Sequence, residues 1–494
     1  MLFKKIAIGI AFSLALAGSA AADNVLHIGE TATLPDLNPF ILAPAYEPME
    51  ENVFDTLTRY DKDLKPQPRL AKSWAFSDDG KKLTLHLRSG VKFHDGKPFT
   101  SKDVVNTLAY VKDPSHGALI SGFADRVVSI DAPDKLTAVM NFDKPFPGVF
   151  DLLELLFIVD TDHADFSKSA NGTGAFEVVS HQPGVKSVFK ANKDYWDGAP
   201  RLDGFDITTV PNQQAELLSL RSGDLDYVSE LGFVDLAPFR RDDSFKTGAV
   251  SSGVVHDITI NMRSKPLSIE AVREAIDLSI DRKRIAKLLF GDLSQPWCEP
   301  FGKNSIAYVA SSDDCTFDLD TAKKVLQSAG VKLPLTLTIL TSSEIRTEYT
   351  TISEILQADL AKIGITLKIE NVDAVTYRKK YVQEHDFQLV SHAFGRAEKD
   401  PSSLLETTVV FEPKGNVSGF ESQAYTDAVN AGGSTVDPAK RKAAYAKATK
   451  IIRDTHAVLT LVPRPRLYVT PSTISGLSFT ADGFAVLQKV TKEQ

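Results

Sequence analysis

Apolar positions along the chain fall into two periods. From Leu335 to Leu340 the apolar Leu335, Leu337 and Ile339 alternate with threonines, the spacing of a half-buried strand. Thr351-Ile352-Ser353-Glu354 then has the form of a capping box. It opens a run with Ile352, Ile355, Leu356, Leu360 and Ile363 on one helical face, closed by Gly364. Ile365, Leu367 and Ile369 alternate again, so the stretch predicts a β-α-β unit with parallel strands and a right-handed crossover. A short strand is expected over Phe387 to Ser391, ending at His392.

The same grammar occurs earlier, with Phe205 to Val210 as strand, Gln213 to Ser222 as helix stopped by Gly223, and Leu225 to Val228 as strand. Two α/β sheets follow from this repetition of pattern. The intervening texture differs: Leu83, Leu85 and Leu87 alternate after the turn Ser77-Asp78-Asp79-Gly80, and Thr100-Ser101-Lys102-Asp103 caps a helix bearing Val104, Leu108 and Val111. That region reads as an α+β insert. With no low-complexity linker, the domains are expected to pack closely and share crossing strands.

Length agrees with this division, since 494 residues at roughly 150 per domain give about three domains. With 43% hydrophobic residues the chain can bury a large core without metal or disulfide staples. Its 56 Lys+Arg and 64 Asp+Glu leave a net charge of −8 with no basic run, so neither nucleic acid nor an anionic membrane surface is an expected partner.

The first residues read as an export signal. Lys4 and Lys5 precede an apolar stretch from Ile6 to Ala17, and Ala20-Ala21-Ala22 suits a signal peptidase cutting after Ala22. The stretch is shorter than the roughly 20 residues that span a bilayer. No cysteine follows it, so a lipid anchor is not expected and the mature chain is expected in the periplasm. Cys298 and Cys315 are the only cysteines, and in an oxidising compartment they read as a disulfide whose loop closure contributes on the order of 3 kcal/mol.

Motifs for catalysis are not found: there is no G-x-S-x-G elbow, no H-E-x-x-H helix, no phosphate loop and no EF-hand loop. Gly172-Thr173-Gly174 lacks a third glycine and a preceding strand, and reads as a turn. The ten histidines show no i, i+4 pair, so neither a catalytic residue, a resident metal nor a cofactor is expected. A secreted hydrolase with a site outside these motifs stays as an alternative.

One long segment resembles a known signature: Leu70-Ala71-Lys72-Ser73-Trp74, Ser77 to Gly80, then Leu85 through Val104 with Gly90, Phe93, Asp95-Gly96 and Phe99. It is similar to the family 5 solute-binding proteins of ABC importers, the group of oligopeptide-, dipeptide- and nickel-binding proteins. The likeness continues through Gly172 to Phe176, Asn192 to Trp196, Asn261-Met262, Pro266-Leu267, Val272 to Ile276 and Gln357 to Leu360. The resemblance implies an α/β fold of the type II periplasmic binding protein kind, two lobes about a ligand cleft plus an extra α+β domain. Accordingly, residues 23–45, 170–254 and 467–494 are assigned to domain I, 46–169 to domain II and 255–466 to domain III, after a signal peptide of 1–22.

The function implied is capture of a peptide or an amino-acid-derived, opine-like solute and its delivery to an inner-membrane ABC permease with its ATPase subunits. The alternative within the class is a nickel chelate, with a histidine such as His392 completing the metal sphere. A monomer is expected. In open α/β sheets ligands bind beyond the carboxyl ends of the strands, which here lead into Thr341 to Tyr349 and His392 to Asp400. The candidate ligand contacts are therefore Thr341, Ser342, Arg346, Tyr349, His392, Phe394, Arg396, Glu398 and Asp400, with Tyr46 as a further aromatic wall. In peptide-binding relatives the second loop carries an aspartate for the peptide amine and the first an arginine for a dipeptide carboxylate. Alignment on Gln357-Ala358-Asp359 and Asp400-Pro401 puts Arg396 and Ser343 near those positions, so this chain departs from both and its cargo is expected to present an anion to Arg396.

Overall fold

The computed structural model describes residues 24–42, 46–310 and 315–493. The signal peptide expected over residues 1–22 lies outside them. Among the described residues no helix is long and apolar enough to cross a membrane.

Three sheets of four or more strands organise the described residues. The first runs in the order Val25–Glu30, Gly204–Thr209, Lys186–Ala191, Phe176–Gln182, with the first two strands parallel. Asn212 opens the following helix, Gln213–Ser222, by accepting from the Ala215 N–H at 2.9 Å, and Gly223 closes it at a φ of +84°. The strand that follows is Val228–Ser229, later than the Leu225 start expected from the pattern, and it joins the second sheet, antiparallel to Val458–Pro471, and not the first. Asp224 and Leu225 still donate their N–H groups to the Ser219 carbonyl, so they complete the helix end and are not free to join a ladder.

The second sheet has the order Val228–Ser229, Val458–Pro471, Phe245–Ile260, Leu389–Phe394, Leu335–Thr341, Ile365–Asn371. Leu335–Thr341 and Ile365–Asn371 are parallel, as the alternation requires. The helix between them is Thr347–Ala361, four residues earlier than the expected capping box. Thr351 lies one turn inside, its hydroxyl donating to the Thr347 carbonyl at 3.4 Å. Burial of Tyr349 to 3% exposure anchors the extra turn, a tertiary contact that outweighs the local cap signal. Leu389–Phe394 likewise runs through His392, because its ladder with Val255–Ile260 continues to Phe394.

The third sheet, Ala71–Phe76, Lys82–Leu87, Thr137–Asn141, Ser129–Asp134, lies in the insert. Leu83, Leu85 and Leu87 are fully buried, and the Thr100/Asp103 capping box opens helix Ser101–Lys112. Gly174 is no part of a free-standing turn: its N–H bonds the Val53 carbonyl at 3.0 Å, and a Cβ at Gly172 or Gly174 would collide with that backbone.

Phe245–Ile260 and Val458–Pro471 form one long antiparallel ribbon joining the first lobe to the second. The boundaries 254/255 and 466/467 cut these strands. Between Ser251 and Val254 the register shifts, opposite Arg464 and Pro465. Pro463 and Pro465 lack the N–H a ladder needs, so the ribbon is least regular where it passes between lobes. Cys298 and Cys315 are joined, with Cα atoms 5.5 Å apart.

Candidate functional site

The ribbon carries two arginines into the seam between the lobes. Pro463-Arg464-Pro465-Arg466 places both guanidinium groups on alternate residues of a mostly apolar strand. Arg464 pairs with Glu230 at 2.7 Å and Glu348 at 3.4 Å, while Arg466 pairs with Glu230 at 3.2 Å and with Glu47. Glu47 opens helix Glu47–Val53, Glu230 follows Val228–Ser229 at a φ of +60°, and Glu348 lies in the first turn of Thr347–Ala361. Four segments thus converge on one network. Burial would raise the Glu230 carboxyl, but Arg464 and Arg466 outweigh it and hold the group down at about 2. Glu47 is pushed up to about 7, burial there exceeding the pull of Arg466.

Beside the register shift lies a cavity of about 440 Å³, with Ser251, Val255, Trp297, Lys303, Glu398 and Arg464 among its walls. The Trp297 indole stacks on Tyr308 with ring centres 5.8 Å apart, and the Lys303 ammonium sits 5.7 Å from its centre. The half-buried Glu398 carboxyl is pushed up by burial and by Asp482, against a hydrogen bond from Ser251.

The expected contacts divide by how their side chains are engaged. Thr341 and Ser342 are fully buried, with hydroxyls that have no partner among the described residues. Arg346 precedes helix Thr347–Ala361, and Tyr349 is buried, stacked with Tyr377 at 6.2 Å and edge-on to His256 at 5.9 Å. His392 bonds the buried Asp257 carboxylate through Nδ1 at 3.1 Å and packs on Tyr381. Phe394 is a core residue against Phe411. Tyr46 donates to Asp36 at 3.1 Å. Asp400 caps helix Pro401–Leu405 and pairs with Arg441 at 2.7 Å. Arg396, at a φ of +66°, lays its guanidinium 4.7 Å over the Phe123 ring. Among the described residues, Arg346, Arg396 and Glu398 are the expected charged contacts without an ion pair, whereas Asp400 has one.

Glu47, Glu230, Glu348, Arg464 and Arg466 were not anticipated. Their readable signal is the pair of arginines at i, i+2 in an apolar strand, where a charge needs a partner. Among the described residues one group has the spacing of a metal site, Asp95, Asp160 and His163 in the insert, but the Lys97 ammonium lies 2.6 Å from Asp160 and already neutralises it.

The family model for bacterial extracellular solute-binding proteins, family 5, matches residues 65–416. The chain belongs to this family. Family 5 proteins are the solute-binding components of ABC transporters, and this one has their two-lobed fold. Di/tripeptide-binding protein 2 of Pseudomonas aeruginosa is 25% identical over 424 residues, 78% of this chain and 79% of that protein. The substrate-binding protein CtaP of Listeria monocytogenes superposes with a TM-score of 0.86 at 21% identity, covering 95% of this chain and 99% of the other. AgaA of A. tumefaciens R10, solved with agropinic acid, gives a TM-score of 0.78 at 23% identity, covering 95% and 99%.

Proposed function

We propose that this family 5 protein works as a periplasmic monomer that closes over a zwitterionic peptide or amino-acid-derived solute and delivers it, chemically unchanged, to an inner-membrane permease and its ATPase subunits. The observation that carries the reading is the set of uncommitted charges. Glu398 faces a cavity of about 440 Å³, within the range of small-molecule sites. It needs a cation, and a ligand ammonium supplies one. Arg346 and Arg396 need anions, and the planar guanidinium holds a carboxylate in two-point fashion. A ligand with both termini, or an opine-like conjugate with an amine and carboxylates, would set its amine at Glu398 and a carboxylate toward Lys303 and Arg464 of the same cavity walls, which do not include Arg346 or Arg396. Di/tripeptide binding by the Pseudomonas relative and agropinic acid in AgaA agree with that chemistry. His392, bonded through Nδ1 to Asp257, is not among the cavity walls, so the nickel-chelate reading gains no support from this cavity.

The test is native mass spectrometry of freshly purified protein, identification of the released solute, and calorimetry of that solute and of a tripeptide panel. Removing the partner of a buried ligand charge costs on the order of 2–5 kcal/mol, so Glu398→Gln is expected to weaken an amine-bearing ligand by about 30-fold or more. Equal affinity of variant and parent would remove Glu398 from the site. Recovery of a cleaved product would move the protein to the hydrolases.

A further inference from the structure

Closing two lobes over a ligand removes water from charged surfaces on both sides, so each charge buried by closure must meet a partner. In this chain one such meeting does not involve the cavity. The insert presents Asp151 and Glu154 on helix Val149–Leu155, both buried. The loop that follows Leu389–Phe394 presents Lys399 and Asp400 to them, and the short helix Pro401–Leu405 that it enters presents Ser403.

The fit is close. The Lys399 ammonium, 6% exposed as a residue, pairs with Glu154 and, at 3.1 Å, with Asp482 of the C-terminal segment. Ser403 donates its hydroxyl to Asp151, the Asp400 N–H donates to the same carboxylate at 3.2 Å, and Tyr60 of the insert donates at 2.7 Å. Around it the surfaces are in contact: a Cβ at Gly148 would strike the Ser402 hydroxyl, and one at Gly80 would press on Val436. Arg396 rests on Phe123 of the same insert.

These contacts join segments about 245 to 252 residues apart and give each charge that they bury a hydrogen-bond partner. We propose that Asp151 and Glu154 of the insert form a clasp on the Lys399–Ser403 segment, which holds the lobes closed by direct contact and positions the loop carrying Arg396 and Glu398. The insert is then a working part of the closure equilibrium and not a passive spacer. Neither Asp151 nor Glu154 touches the cavity, so both are positioning residues. The clasp does not depend on which solute is bound.

Spin labels on Leu119→Cys of the insert and Val375→Cys of the second lobe, both exposed, report the separation in the full chain with no solute added. Asp151→Asn with Glu154→Gln leaves Lys399 with Asp482 alone and removes the charged acceptor of Ser403. The closed-to-open ratio is expected to fall about tenfold or more, with a larger radius of gyration in solution scattering. Ser403→Ala removes a single donor to Asp151 and is expected to shift the same distribution in the same direction by less. It carries the test if the double variant does not fold. A distance distribution that is the same in the parent and in whichever variant folds overturns the clasp. That result would leave the cavity and the role of Glu398 untouched, since those are read from ligand affinity.

Discussion

Glu216 shows how far one side chain can depart from its ordinary chemistry. It lies in the first turn of Gln213–Ser222, 3% exposed, close under Gly29. Burial pushes its carboxyl up to about 8 from an ordinary 4.5, and Glu30 nearby is raised in the same direction. A raised carboxyl keeps its proton in the folded chain while the unfolded chain loses it, so the folded state binds more protons between these values. The Glu216 contribution is full below about pH 4.5 and is lost as pH rises through about 8. Urea unfolding across pH 5 to 8 is expected to show stability falling with pH, and Glu216→Gln is expected to flatten that slope. Nothing in a helical pattern marks Glu216, because its neighbours come from another strand. Phe394 and Tyr349 make the same point in reverse: their loops were legible as strand ends, but the register that turns their rings into the core was not.

Element ends were legible where the cap is local. Thr100 accepts from the chain three residues on, and the Asp103 carboxylate returns the bond to the Thr100 N–H at 2.7 Å. Thr351 has the same sequence form but sits one turn inside Thr347–Ala361, so it caps nothing. Thr100→Ala is expected to cost about 1 kcal/mol in chemical unfolding, and Thr351→Ala no more than about 0.5 kcal/mol. Equal costs would restore Thr351 as a helix start. The difference between the two threonines is tertiary: Tyr349 has aromatic neighbours to pack on, and the helix extends toward the seam to reach them.

The long ribbon joins the two lobes, and its Arg464 and Arg466 are held by Glu47, Glu230 and Glu348 from both sides of the seam. A ligand held in the cavity between Ser251 of the first lobe and Trp297 and Glu398 of the second would add contacts present only when the lobes are together. Differential affinity for the closed form is what moves such an equilibrium. Small-angle scattering is therefore expected to give a smaller radius of gyration with the identified solute than without it, and chromatography is expected to return that solute intact. No change in radius at saturating solute would separate binding from closure.

Alternation and helical spacing were enough to establish the strands around Leu83 and Ile207 and the parallel unit of Leu335 to Ile369, because these patterns depend on neighbours within a few residues. The paired cysteines and the family signature were equally legible, being matters of residue identity and order. The assembly of Glu47, Glu230, Glu348, Arg464 and Arg466 was not: the two arginines in an apolar strand call for partners, but the three glutamates come from distant segments and each alone reads as an ordinary surface charge. The same holds for Lys399 between Glu154 and Asp482. Local pattern decides which face of an element is apolar, while the partner of a buried charge is decided by which distant segment the packed lobes set against it.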